Sequence, residues 1–382
     1  MPEAAGLRVG LLLGRLAVGG AERQFVLLAR GLATRGHSVR FFTVSPGGAL
    51  ADELEGVPGV SLRPLLRAGE GGRAALLRLP RRLEAALREE PLDVLHSALY
   101  LTNALAAWCA PRRGVPVVWG VRNTRAHGGW KAGLVFRLGR ARSGRVAALI
   151  SNSAAGLAWH RAAGYGPARG EVVPNGIDGQ RFRPDDDRRR AFRAELGLGD
   201  EHCLVGLVGR LSAAKNHALF LRAAQLAAAE DPRLRFVAAA PDAERVPEEL
   251  RALAAGLGDR FRWVGAGGRA EEVYPGLDLL ALPSTVEGFP NVVGEAMACG
   301  VPCLVSGAGD SAELVGDAGE VLRDGSPADW ARALLALAAD RAELAARGRR
   351  SLARVATEYP VERMVASTER ILVEVARRSG GA

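Results

Sequence analysis

Cysteine is scarce in this chain: four residues, Cys109, Cys203, Cys299 and Cys303, in 382. Their spacing fits neither a disulfide framework nor a zinc motif, and no His or Cys partner flanks the pair Cys299 and Cys303. Buried apolar thiols in a reducing compartment are expected instead. Aromatic residues make up 5%, and no nucleic-acid-binding module is visible, so the high isoelectric point alone carries little weight for that class. Long apolar runs are also missing. The richest, Leu99 to Ala110, is too short and too polar to cross a bilayer. Met1 to Gly6 have neither the cationic start nor the apolar stretch of a secretory leader. No low-complexity tract and no fixed-period repeat interrupts the pattern. A soluble or peripheral protein of the cytoplasm is expected.

What is present is an ordinary globular composition, 48% hydrophobic and 24% charged, over a length that suits two domains with a core each. The charge is uneven. Residues 1–180 hold 24 Lys and Arg against 12 Asp and Glu, a net +12, and the remainder is −3, within an overall +9. A basic first half implies an anionic partner there: a membrane surface, a phosphorylated lipid or a nucleic acid.

Short apolar runs alternate with helical patterns throughout the first half. Strands are expected at Leu7–Leu13, His37–Val44, Val60–Leu65, Asp93–His96, Pro116–Val121 and Ala147–Ser151, with a helix over Ala21–Arg35. The turn chemistry of Pro174 to Asp178 and the charged stretch Phe182 to Arg190 suit a linker. A second alternation follows at Leu204–Val208, Leu234–Ala238, Phe261–Val264, Leu277–Leu282 and Pro302–Val305. The fold class is therefore α/β: two Rossmann-like domains facing a central cleft, residues 1–180 and 181–360. Residues 361–382 form a C-terminal helix that crosses back to the first domain. In parallel sheets ligands bind beyond the carboxyl ends of the strands, so the strand-to-helix loops should carry the chemistry.

Three of those loops stand out. In LPSTVEGFPNVVGEAMACGVP, Leu282 to Pro302, a strand ends, a loop with Gly288 follows, and a helix begins near Asn291. Free backbone N–H groups and the positive dipole end of that helix suit a diphosphate. Glu287 and Glu295, eight positions apart, would repel phosphate, but they suit sugar hydroxyls, which donate to a charged acceptor. In VGRLSAAKNH, Val208 to His217, Arg210 follows a strand and Lys215 opens the next helix. A forked guanidinium with a point-charge ammonium makes a diphosphate clamp. In GRLAVGGAER, Gly14 to Arg23, Gly19 and Gly20 let the backbone pass close to a ligand, although a plain tight turn fits this string as well.

With VGGAER, ISNS at Ile150 to Ser153, VPNGID at Val173 to Asp178, VGRLSAAKN and EGFPNVVGEAMACGVP in this order, the chain resembles the retaining GT-B glycosyltransferases of the group 1 superfamily, of the surface-polysaccharide type. The resemblance covers nearly the whole chain. It implies that Glu287 contacts the sugar hydroxyls, Glu295 the nucleotide ribose, and Arg210 and Lys215 the diphosphate. The backbone of Phe289, Pro290, Asn291 and Val292 would assist. The nucleotide-sugar is a substrate, UDP-sugar expected ahead of GDP-sugar, and no cofactor or metal is implied. Asp185, Asp186 and Asp187 are read as solvated charges.

Two places depart from the family pattern. Where many relatives carry a His pointing at the transferred sugar, this chain has Arg122 and Asn123, with His127 further on. Where a Gly-rich turn is common, it has Ala239-Ala240-Pro241-Asp242. Arg122, Asn123 and His96, at strand ends, are candidate sugar or acceptor contacts, and a structural role for His96 is equally compatible with the pattern. The acceptor is expected to be a glycan or lipid-linked molecule held on the basic first domain. Two stretches mix Leu with Arg in the manner of membrane-surface helices, Gly72–Arg88 and Trp130–Arg145, so an anionic membrane surface is an expected partner and nucleic acid is not. A catalytically silent partner subunit of a transferase assembly is the alternative, and a nucleic-acid-binding protein a more distant one.

Overall fold

The computed structural model describes residues 6–124, 130–167, 169–267 and 269–380. Two compact units divide the chain: Met1–Gly176 with Val361–Ala382, and Ile177–Pro360. The first contains β1 (Arg8–Leu13), α1 (Gly20–Thr34), β2 (Ser38–Thr43), β3 (Val60–Pro64), α2 (Gly72–Glu89), β4 (Val94–Ala98), α3 (Tyr100–Cys109), β5 (Val117–Val121), α4 (Trp130–Arg142), β6 (Ala148–Ser151), α5 (Ala154–Ala162) and β7 (Gly170–Val172). All seven strands are parallel, in the order β3-β2-β1-β4-β5-β6-β7. Side chains alternate across a strand, and both faces here are covered. Leu11 and Leu13 of β1 enter one apolar core, and Leu12 between them enters the other. That two-sided burial is why the strand reads as a continuous apolar run rather than an alternating one.

The second unit runs through α6 (Asp186–Glu195), β8 (Cys203–Val208), α7 (His217–Glu230), β9 (Leu234–Ala240), α8 (Glu248–Ala255), β10 (Phe261–Gly265), α9 (Ala270–Val273), β11 (Leu279–Leu282), α10 (Asn291–Ala298), β12 (Cys303–Val305), α11 (Ser311–Val315), β13 (Glu320–Val321), α12 (Pro327–Ala339) and α13 (Arg341–Glu358). Its six parallel strands are ordered β10-β9-β8-β11-β12-β13. In both sheets the order reverses beside the first strand, between β1 and β4 and between β8 and β11. A crevice opens at such a switch point because the two crossover helices leave on opposite faces.

The last helix, α14 (Val361–Gly380), packs on α1 within the first unit. Gly31 is required at that contact, since a Cβ would lie 2.5 Å from Cγ2 of Val365. Glu369 of α14 pairs with Arg35 (2.5 Å) and His37 (2.7 Å). No helix among the described residues is long and apolar enough to cross a membrane.

The structure corrects the reading of Phe182 to Arg190 as a linker. Its aspartates begin α6: the Asp185 side chain accepts from the Arg188 N–H at 3.0 Å, and Asp186 and Asp187 fill the first turn, where acids complement the helix dipole. The far end of α6 is anchored by Arg193, which is 4% exposed and donates to Asp278 at 2.9 Å.

Candidate functional site

In the second unit the expected loops lie at the switch point, after β8 and β11. The chain leaves β8 through Gly209, at φ +153, where a Cβ would meet the Lys215 stem at 3.1 Å. A single turn, Ala213–Lys215, then leads through Asn216, in the left-handed region, into α7. This turn is tied to the neighbouring loop by the Thr285 N–H donating to the Ala214 carbonyl at 2.8 Å. The tie brings Lys215 and Glu287 together: Nζ lies 2.7 Å from Oε1, with the side chains 17% and 12% exposed. Arg210 is exposed and makes no ion pair among the described residues. Beyond β9, where the sequence reads Ala239-Ala240-Pro241-Asp242, Asp242 forms a tether, accepting from the Leu211 N–H at 3.2 Å.

The loop after β11 is shaped from behind by Gly309. At φ +58, its Cβ position lies 2.5 Å from the carbonyl oxygens of both Glu287 and Gly288, and Asp310 donates its N–H to Gly288 at 3.0 Å. Pro290 precedes the first residue of α10, and no side chain caps that helix start. Phe289 is 7% exposed and its ring centroid lies 5.5 Å from that of Tyr359, which fixes the loop to the unit's core. Asn291 and Val292 are partly buried in the first turn of α10. Glu295 stands on its second turn, and its Oε2 accepts from the hydroxyl of Tyr274 at 2.7 Å. Tyr274 is fully buried. No sequence signal distinguished it, because a Tyr just before a strand looks like any core aromatic.

His217 was also missed. It begins α7, is 3% exposed, and its Nε2 has no hydrogen-bond partner among the described residues. Burial first, and the Lys215 ammonium second, hold its pKa down at about 4, so the ring is neutral.

In the first unit the candidates gather at the matching switch point. Gly19 is extended and precedes α1; a Cβ there would lie 2.3 Å from a Glu22 oxygen. Arg122, after β5, lies with its guanidinium carbon 5.3 Å from the centroid of the Phe25 ring and donates to the Asn175 side chain. On the other side Phe25 stacks on His96 at 4.9 Å. His96 is 1% exposed and contacts the Val118 carbonyl at 3.1 Å. Burial pulls its pKa to about 3 and pulls that of Arg122 to about 10, the latter opposed by Glu22. His96 is thus a neutral support under Phe25, and Arg122 is the partly buried cation above it. Asn123 accepts from the Tyr100 hydroxyl at 3.1 Å. Gln24 clamps the Gly176 peptide with both ends of its amide, at 2.8 and 2.9 Å. His127 lies outside the described residues, as do the side chains of Arg73, Trp130 and Lys131.

The two Leu/Arg stretches are unlike each other. In α2, Leu79, Leu83 and Leu87 are buried core residues, and Arg82 is bound to Glu70; Leu76 and Leu77 are exposed. In α4, Leu134 and Leu138 are 50% and 45% exposed. Arg137 and Arg140 of α4, with Arg145 just beyond, are exposed without an ion pair among the described residues. Arg142, by contrast, stacks on Trp108 at 3.6 Å. From residue 94 to residue 170 the chain has eleven Lys and Arg and no acid. Among the described residues no group of three or more His, Cys, Asp and Glu is placed to hold a metal ion.

Comparison with known proteins places this arrangement. Residues 202–340 match the family model of Glycosyl transferases group 1, and residues 18–181 that of Glycosyltransferase Family 4. The chain is 32% identical over 395 aligned residues to a D-inositol 3-phosphate glycosyltransferase of Geodermatophilus obscurus, spanning 94% of this chain and 87% of that one. It is 33% identical to the protein of the same name in Rhodococcus opacus, over 82% and 77%. Among solved structures, Anabaena HepE in complex with UDP and glucose superposes with a TM-score of 0.82 at 20% identity, covering 96% of this chain and all of that one. Sucrose-phosphate synthase of Thermosynechococcus elongatus gives 0.80 at 19% identity, over 97% and 100%. With its two parallel-sheet units and these relatives, the chain belongs to the group 1, family 4 glycosyltransferases of GT-B fold.

Proposed function

We propose that this glycosyltransferase takes a sugar from a nucleoside diphosphate donor, a UDP-sugar ahead of a GDP-sugar, and passes it with retained configuration to a phosphate-bearing acceptor, without a metal ion. The observation that carries the reading is the Lys215–Glu287 pair at the β8–β11 switch point beside the start of α10. One cation and one carboxylate, each largely shielded from water, suit the two halves of such a donor. Lys215, Arg210 and the α10 amides take the diphosphate, and Glu287 takes the sugar hydroxyls. Glu295 takes the ribose.

Cleavage of the anomeric C–O bond puts positive charge on the sugar and negative charge on the departing diphosphate. Preorganised cations and amides stabilise that negative charge as it grows, which is the role a divalent ion fills in other transferases. The acceptor oxygen attacks from the face the diphosphate leaves. Its proton passes to a donor phosphate oxygen, so no protein nucleophile is required. The HepE structures in complex with UDP, with UDP and glucose, and with UDP-glucose support the choice of donor.

The acceptor is assigned to the first unit, where Arg122 and the acid-free segment give a positive field. For a lipid-linked acceptor in surface-polysaccharide synthesis, α4 supplies exposed Leu134 and Leu138 beside Arg137 and Arg140, which have no ion pair among the described residues. A surface of exposed leucines among arginines holds a protein on the inner, cytoplasmic face of an anionic membrane. The relatives named for D-inositol 3-phosphate favour a second reading, a small soluble phosphorylated acceptor. The test is transfer from UDP-sugars to both acceptor classes, with co-sedimentation on neutral and anionic vesicles at low and high salt. Salt-sensitive binding to anionic vesicles that weakens when Arg137, Arg140 and Arg145 become Gln supports the lipid-linked acceptor. Transfer to the soluble acceptor with no vesicle binding supports the second. No transfer from any nucleotide-sugar would favour the silent-subunit alternative.

A further inference from the structure

We propose that Tyr274 is a positioning residue of the donor site, setting the carboxylate of Glu295 for the ribose hydroxyls of the nucleotide. The proposal rests on the reading that Glu295 holds the ribose. Tyr274 sits in the single turn between α9 and β11. Its ring is fully buried, edge-on to Phe182 with centroids 5.8 Å apart. Its hydroxyl reaches one carboxylate oxygen of Glu295 at 2.7 Å.

Two features make this contact a fixed point. First, the helix carrying Glu295 is closely packed: at the preceding residue, Gly294, a Cβ would lie 2.6 Å from Cδ1 of Ile177. Second, the phenol stays protonated. Burial, then the neighbouring Glu295 charge, push its pKa well above 10, so it remains a donor throughout the working pH range. A Glu side chain has three rotatable bonds, and a carboxylate has about four acceptor positions. Tyr274 uses one position and, through it, selects the rotamer and the plane of the group. Orientation of this kind matters because a hydrogen bond to a sugar hydroxyl weakens steeply away from linearity.

Such a residue differs from a purely structural one in what its loss does to different ligands. Tyr274→Phe keeps the ring, its volume and its packing on Phe182, and deletes only the hydroxyl. Calorimetry with UDP and with 2′,3′-dideoxy-UDP, or with the GDP pair if GDP binds more tightly, reads the ribose contribution. Y274F is expected to lower UDP affinity about tenfold, equivalent to about 1.4 kcal/mol, and to change dideoxy-UDP affinity less than twofold. Added to E295Q, it should cost nothing further, since the two act through one contact. Equal losses for the two ligands, or no loss for UDP, would overturn the proposal. E295Q alone tests the underlying reading: failure of that variant to distinguish the ligands removes Glu295 from the ribose whatever Y274F does. Should Y274F not fold, Glu295→Asp keeps the charge but withdraws it from the phenol by one methylene. It should lose the ribose preference as well; a wild-type preference in it, with the preference lost in E295Q, would refute the positioning role.

Discussion

Glu287→Gln should make nucleoside diphosphate bind more tightly while sugar transfer collapses. In the structure Lys215 is already occupied, its Nζ 2.7 Å from the Glu287 carboxylate, with 17% and 12% of the two side chains exposed. At that separation and an effective dielectric near 20, the gross attraction is about 6 kcal/mol, most of it offset by desolvation of the two ions. For a pair between the exposed and fully buried limits, a net of about 1–2 kcal/mol remains. An arriving diphosphate must share or displace that carboxylate. Replacing Glu287 with the isosteric amide removes the competing anion and returns this net, about 5- to 30-fold in affinity. The same change removes the charged acceptor proposed for the sugar hydroxyls, so transfer should fall at least about tenfold. Calorimetry with UDP, alongside steady-state transfer, separates the two effects. Unchanged or weaker UDP binding in E287Q would refute the reasoning, and would mean that Lys215 serves both anions at once or does not meet the phosphates.

Other consequences are equally direct. Arg210→Ala, which removes an exposed cation without disturbing an ion pair among the described residues, should lower turnover by about 10²–10³ with little change in melting temperature. Gly309→Ala places a methyl group 2.5 Å from two carbonyl oxygens of the loop after β11, at φ +58. The left-handed conformation alone costs about 1–2 kcal/mol, so both thermal stability and UDP affinity should drop; wild-type values in both would show that the loop is not held from behind. Glu369 on α14 is partly buried, which raises its pKa, but hydrogen bonds from His37 and Arg35 outweigh this and hold it below the ordinary glutamate value. A carboxylate with a depressed folded pKa stabilises the protein above its unfolded value, and loses that contribution as pH falls through the folded one. Glu369→Gln should therefore lower melting temperature near neutrality and flatten its decline below about pH 4.5; an unchanged acid limb would contradict the linkage.

Much of the fold was legible because buried parallel strands are short apolar runs, and the thirteen strands among the described residues leave that signal intact. The elements that escaped are informative. β7 and β13, of three and two residues, are edge strands too short for any period to show. The helix α6 was concealed by its own N-terminus, since consecutive aspartates read equally as a solvated linker and as a helix start. In α2 the spacing of leucines was visible, but not that Leu79, Leu83 and Leu87 face the core while Leu77 is 80% exposed. At the candidate site, motif order placed Arg210, Lys215, Glu287 and Glu295 on loops and helices of one sheet edge. Contacts between distant segments were beyond it. The bond from Tyr274 to Glu295 spans 21 positions and that from Lys215 to Glu287 spans 72, and neither phenol nor ammonium carries a local mark of its partner.

In the proposed reaction the donor bond is cleaved and replaced from one face of the sugar. Proton NMR of the purified enzyme with UDP-glucose and an acceptor reads the anomeric configuration of the new glycosidic bond, which is stable once formed. The α-configured donor should give an α-linked product with UDP released in equal amount, and a metal chelator should not change the rate. A β-linked product, or transfer abolished by the chelator and restored by a divalent ion, would contradict it.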